Sequence, residues 1–272
     1  MPKVKPLSAV ARKYPVVKAN KYIQTTRQDL TLQEQRFIIY LCSLLPKDIE
    51  DVSKCYIDFD MSDYLGTFRY TDSGTNYADL KKAILSLKTK SFFVPTKDGG
   101  EVTVDWISKA WVDKNKSHLR VQLDEDLVPY FCNLRDNFVS YNIDNIKELS
   151  CSYSIRLYEL FKSYSFIKQK VIPVDQLRYM LDLQNKYPRF SEFEKRVLTP
   201  AVMEINKLTD ITVSYEKQKE GKQTVGIILT IKSKDMLSLE SKKSDSNKKT
   251  QFHNFQERAY DYKELEEIVA AI

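Results

Sequence analysis

"PRFSEFEKRVLTPAVMEIN", Pro188 to Asn206, decides how the rest of this chain is read. Phe190, Phe193, Val197, Ala201, Ile205 and, just beyond, Leu208 recur at the three-to-four residue step of a buried helical stripe. The other side carries Glu192, Lys195, Arg196, Thr199 and Met203. Pro200 sits in the middle, where it removes an amide donor and crowds the preceding turn. Two arrangements satisfy it: one helix bent at Pro200, or two helices with Thr199 as N-cap and Pro200 at the first position. In both, Ala201, Ile205 and Leu208 pack the far half down while the near half keeps a polar, partly basic face free.

The neighbouring segments give this helix a setting. Upstream, "CSYSIRLYELFKSY" (Cys151 to Tyr164) reads as a helix with Tyr153, Leu157, Leu160, Phe161 and Tyr164 inside, and "VIPVDQLRYML" as a strand and short helix. Downstream, "DITVSYEKQKEGKQTVGIILTIK" is two alternating strands around a charged turn with Gly221. The first half of the chain runs through the same order. Thr31 and Glu34 form a capping box ahead of a stripe through Phe37, Ile38, Leu41, Leu44 and Leu45, which Pro46 ends. "YIDFDMSDYLGT" starts as a strand and becomes a short helix, and "NYADLKKAILSLK" is amphipathic. "SFFVP" is extended, and residues 99–123 read as two strands around a polar turn at Lys114–Ser117.

Landmarks pair across the halves: Arg36-Phe37 with Arg156-Leu157, Ile57 with Ile172, Tyr64 with Tyr179, Ile84 with Val197, Phe93 with Thr212. We read an internal duplication of helix, strand, helix, helix, hairpin. The expected fold class is α+β, two tandem winged-helix domains, in which the third helix enters a DNA groove and the hairpin is the wing. The expected limits are a basic arm at 1–24, the first domain at 25–134 and the second at 135–234. Residues 235–272 form a polar linker followed by a short C-terminal helix.

Net charge is +6, unevenly spread. Residues 1–24 hold six Lys or Arg and no acid, residues 151–234 carry a second excess of +6, and 25–150 and the tail are net acidic. Clustered cations favour a polyanionic partner through counterion release, although Lys-rich surfaces also serve solubility alone. No apolar run approaches a bilayer's width and the N-terminus lacks a signal-type apolar core, so a cytoplasmic, non-membrane protein is expected. Four scattered cysteines without a C-x-x-C pair fit reduced thiols.

The inventory argues against several chemistries. His118 and His253 are the only histidines, so the His-x-His of a metal-dependent nicking nuclease is missing, and no Walker-type phosphate loop occurs. Asp58 and Asp60 share one strand face that a two-metal site can use; a solvated edge and a helix N-terminus seeking acids explain them as well. No metal, cofactor or catalytic residue is expected.

"SCSYSIRLYELFKSY", "LTPAVMEINKLTDITVSYE" and "LTLQEQRFIIYLCSLL" closely resemble the iteron-binding plasmid replication initiators, from about Val16 to Lys234 and in that family's order. The resemblance implies a protein that binds directly repeated sites (iterons) in double-stranded plasmid origin DNA. It further implies melting of adjacent A·T-rich DNA, recruitment of the host replication initiator and replicative helicase, and a homodimer–monomer equilibrium whose dimer represses its own gene. A duplicated winged-helix repressor without an initiation role is the alternative.

On that reading the base-reading candidates are Arg189, Ser191, Glu192, Lys195, Arg196 and Thr199, at the start of the groove helix. The plain alternative is a solvated face on which Glu192 pairs with Lys195 or Arg196. Lys217, Lys219 and Lys222 in the second wing are phosphate candidates, as are Lys81, Lys82, Lys88 and Lys90 on or beside the equivalent first-domain helix. Trp106 and Trp111 are placed either in the first domain's core or on an apolar dimer edge.

Overall fold

The computed structural model describes residues 15–234 apart from 53–54, 72, 96–98, 114–117 and 168. The expected tail helix and linker, His253, the turn at 114–117 and the arm before Pro15 lie outside the described residues. Two copies of one topology are present. In the first, α2 (Leu32–Leu44), β2 (Tyr56–Asp60), α3 (Met61–Thr67) and α4 (Gly74–Thr89) precede β3 (Ser91–Pro95), β4 (Glu101–Asp105), β5 (Ile107–Val112) and β6 (His118–Leu123). In the second, α5 (Ser152–Ser163), β8 (Gln169–Pro173) and α6 (Val174–Met180) lead to the groove helix. That helix is α7 (Phe190–Phe193), a π turn (Glu194–Leu198) and α8 (Thr199–Leu208), followed by β9 (Ile211–Glu220) and β10 (Gln223–Ser233). The sheets β2-β6-β5 and β8-β10-β9 have the same order, each early strand pairing with the last one. The fold is α+β with two winged-helix units.

Local sequence explains both ends of α2. The Thr31 backbone amide donates to Glu34 Oε2 at 2.7 Å and the Glu34 amide to Thr31 Oγ1 at 3.3 Å, so the capping box starts α2 as expected. Leu45, before Pro46, is extended and ends the helix. Burial pushes the Cys42 thiol up to about 12 and the Cys55 thiol to about 11, leaving both unreactive.

The first hairpin differs from expectation. Residues 99–123 form three strands, because Trp106 is buried (2% exposed) against Phe92, ring centroids 4.4 Å apart, and its inward turn separates β4 from β5. β4 then pairs with β3, adding a hairpin that the second copy lacks. Phe93 therefore sits in that extra hairpin, whereas Thr212 lies in β9, the counterpart of β5, so this pair of landmarks is not equivalent. Trp106 is core; Trp111 meets Tyr56 edge to face on β5, the open edge of the first sheet.

The stretch expected as an arm enters the fold from Val16. β1 (Val16–Ala19) pairs with β7 (Phe138–Tyr141), and α1 (Asn20–Thr25) buries Tyr22 among Phe92, Trp106, Tyr130 and Phe131. Lys18 is 3% exposed and bonds Glu159 Oε1 of α5 at 2.6 Å, an acceptor that the Tyr141 hydroxyl also reaches. Its charge serves the interior. The periodicity of a short strand and one helical turn is too brief to register against a run of lysines.

The two copies also hold each other. Arg36 of α2 donates through Nη2 to the carbonyls of Lys147 and Leu149, just ahead of α5. Arg156 of α5 donates through Nη2 to the carbonyls of Ile23 and Thr26, just ahead of α2. Each arginine fixes the lead-in to the other copy's first helix. One continuous apolar core runs through both units.

Candidate nucleic-acid interface

Helical dihedrals continue through Leu198 (φ −69°, ψ −52°) and Thr199 (φ −61°, ψ −50°), so the groove helix is one element without an internal cap. The backbone absorbs Pro200 with a wider turn. The Thr199 amide donates to the carbonyl of Glu194, five residues back, and the absent amide of Pro200 is not called on. Phe193, Val197, Ala201 and Ile205 are all within 2% of full burial and recur every four residues. Four residues overshoot a turn of a regular helix by about 40°; the wider turn takes up part of that drift and keeps the stripe against the core.

The opposite side is free. Arg189, Ser191, Glu192, Lys195, Arg196 and Thr199 are all exposed. Helical spacing puts Glu192, Lys195, Arg196 and Thr199 on the side that Met203 continues at 68% exposure, while Arg189, the extended N-cap, and Ser191 border the wing. Among the described residues no ion pair joins Glu192 to Lys195 or Arg196. The Thr199 hydroxyl is partly engaged, 3.1 Å from the Tyr215 hydroxyl on β9.

Between the helix start and the wing lies a cleft of about 570 Å³. Arg178, Arg189, Lys217, Lys219 and Lys222 line it, with Asp175 the one acid. Arg178, which the sequence reading passed over, donates to the carbonyls of Tyr187 (2.8 Å) and Pro188 (3.1 Å) and covers the Phe193 ring. It pins the loop that launches the groove helix. Nothing in an isolated "LRYM" signals that role, because its partners are backbone carbonyls about ten residues away. Lys219 and Lys222 are exposed on the wing around Gly221, whose φ of +60° suits the turn. At Gly226 an added Cβ would come within 2.6 Å of the flexible end of the Gln218 side chain and 3.2 Å of the Ile172 carbonyl, a tight approach to β8. Lys217 is committed to Glu194 Oε2 at 2.6 Å and lies over the Phe190 ring.

On the first copy, Lys82 is exposed and Lys81 half-buried on α4. Lys88 reaches the Ser108 carbonyl at 3.4 Å. Lys90 is drawn away: its Nζ bonds Glu34 Oε2 at 2.9 Å and the Asp29 carbonyl at 2.7 Å, so it tightens the start of α2. Leu85, 65% exposed between these lysines, was not foreseen. The acids at 58 and 60 have structural partners. Arg120 holds both oxygens of Asp58 at 2.8 and 3.0 Å, and His118 Nδ1 lies 3.0 Å from Asp60. Asp124 accepts the amides of Asp105 and Asp126 and shapes a turn. No helix among the described residues is long and apolar enough to cross a membrane.

Comparison with known proteins gives the fold and the family. The family model described as Initiator Replication protein, WH1, matches residues 15–162, and that described as Initiator Rep protein, WH2, matches residues 173–231. The chain is 27% identical over 225 residues to a replication initiation protein of Escherichia coli, covering 79% of this chain and 69% of that one. It is 30% identical over 138 residues to the PI protein of Escherichia coli, 44% of each chain. The crystal structure of Pi initiator protein in complex with iteron DNA shares the fold. Its TM-score is 0.68 over 82% of this chain and 98% of that one, at 20% identity.

Proposed function

The chain belongs to the initiator replication protein family, and from this we propose that it starts plasmid replication by binding directly repeated origin sites through the face Arg189–Thr199. The observation that carries the reading is the set of six exposed polar side chains beside a cleft lined by Arg178, Arg189, Lys219 and Lys222, with Lys217 held by Glu194. Base edges in the major groove require reach and hydrogen-bonding capacity, and the phosphates alongside require positive charge. The second copy, residues 135–234, is the main reader; the first, 25–134, adds backbone contacts through Lys81, Lys82 and Lys88. Binding next to A·T-rich DNA opens it and brings in the host initiator and helicase, in the cytoplasm and without catalysis by the protein itself.

Footprinting on the DNA flanking its own gene, at stated salt, tests the reading. Protected tandem repeats beside an A·T-rich stretch are expected. A lone protected palindrome points to a repressor instead, a second reading favoured by the open strand β5, where Trp111 and Val112 are exposed and offer an edge for a second copy. Site-specific nicking of supercoiled origin DNA with Mg²⁺ or Mn²⁺ would replace both with an enzyme.

A further inference from the structure

The wide turn in the groove helix is tied to the wing by side chains that no base-reading role requires. Glu194 opens that turn, and its carbonyl accepts the Thr199 amide across five residues. Its carboxylate accepts from the Tyr215 hydroxyl at 3.2 Å and from Lys217 Nζ at 2.6 Å, both on β9. The Tyr215 hydroxyl in turn lies 3.1 Å from Thr199 Oγ1, at the far end of the same turn. Both ends of the turn therefore meet one tyrosine of the wing. Glu194 and Tyr215 are half-buried, and the two residues that follow Glu194 in the chain, Lys195 and Arg196, are exposed.

A turn with an extra residue changes the rotation of everything before it relative to everything after it. Pro200 prevents the regular bond at one position but does not choose the width of the turn, since a simple kink also satisfies a proline. Wide turns inside helices recur at functional sites. We propose that Glu194 and Tyr215 are positioning residues. They bracket the wide turn and so fix the direction in which Lys195 and Arg196 leave the helix relative to the wing, which sets the discrimination between bases. The inference rests on the DNA-reading function proposed above. It also gives Glu194 a second effect: by holding Lys217 it keeps one cation from the phosphates.

The test uses the full chain, with a duplex carrying the footprinted repeat and a scrambled duplex of equal length. Tyr215→Phe removes both hydroxyl contacts without changing charge. The ratio of affinities for repeat and scrambled DNA is expected to fall about tenfold, as for loss of one base contact. The salt slope on scrambled DNA stays unchanged, and the Thr199 amide exchanges hydrogen faster. Glu194→Gln keeps an acceptor for Tyr215 but frees Lys217, so the slope on both duplexes steepens by about one phosphate's worth. Equal loss on both duplexes in Tyr215→Phe, as a merely structural role predicts, overturns the proposal. So does an unchanged ratio, or unchanged exchange at Thr199. If the wild type fails to prefer the repeat, the functional reading falls instead, and the exchange measurement alone decides the bracket.

Discussion

Arg196 and Lys219 are both exposed cations near the groove helix, and on the proposed function they are expected to have different duties. Arg196 stands on the helix face with a planar fork suited to a guanine edge. Arg196→Ala is expected to cost about 1–3 kcal/mol on the repeat and little on random DNA, measured by titration of both duplexes; equal losses would assign it to phosphate. Lys219, on the wing and lining the cleft, should act on all sequences alike. Lys219→Ala is expected to lower the salt slope by about one unit, and an unchanged slope would remove it from the interface. Lys90, by contrast, already holds Glu34 and the Asp29 carbonyl, which a lysine's reach permits and a position in the sequence does not reveal. Side chains of one type were legible as a group; their individual commitments depend on partners tens of residues away.

At the scale of elements, the start of α2 shows how a cap, once formed, becomes sensitive to pH. Burial pushes the Glu34 carboxyl up, but hydrogen bonds from Ser86, Lys90 and the Thr31 amide prevail and hold it below its ordinary 4.5. A depressed carboxyl stabilises the fold fully above its unfolded value and loses that contribution as pH falls through the folded one. The melting-temperature gap between the wild type and Glu34→Gln should therefore be largest near neutrality and shrink as pH falls below 4.5 through the depressed value. A constant gap would show that the charge of Glu34 is irrelevant. This cap was plain in "TLQE" because its bonds span three residues, and the second wing was plain in its alternation. The extra hairpin β3–β4 was not, since Trp106 turns inward to meet Phe92 and Tyr22, and only tertiary packing announces that. The groove helix was legible in its faces and ambiguous at Pro200. A bend, a break and a wide turn all accommodate a missing amide, and the wing's Tyr215 lies outside the window in which they can be compared.

Across the whole molecule, the shared core and the exchanged arginines make the two copies one folding unit. A single cooperative unfolding transition is expected by calorimetry, with matching van't Hoff and calorimetric enthalpies; two resolved transitions would contradict it. Arg156 is fully buried, and burial lowers its pKa while the Glu159 carboxylate counters that pull. Replacing it with alanine removes the bonds to the Ile23 and Thr26 carbonyls while Glu159 keeps Lys18, a cost on the order of 1.5–3 kcal/mol per charge-assisted bond. That loss should slacken both copies at once, seen as faster hydrogen exchange in α2 as well as α5. A caliper with locked jaws measures one width only. With each jaw riveted to the other's root, a target lengthened by one base pair between its two contact regions, turning the far half by about 35°, should be refused by the intact protein yet accepted once a rivet is drawn.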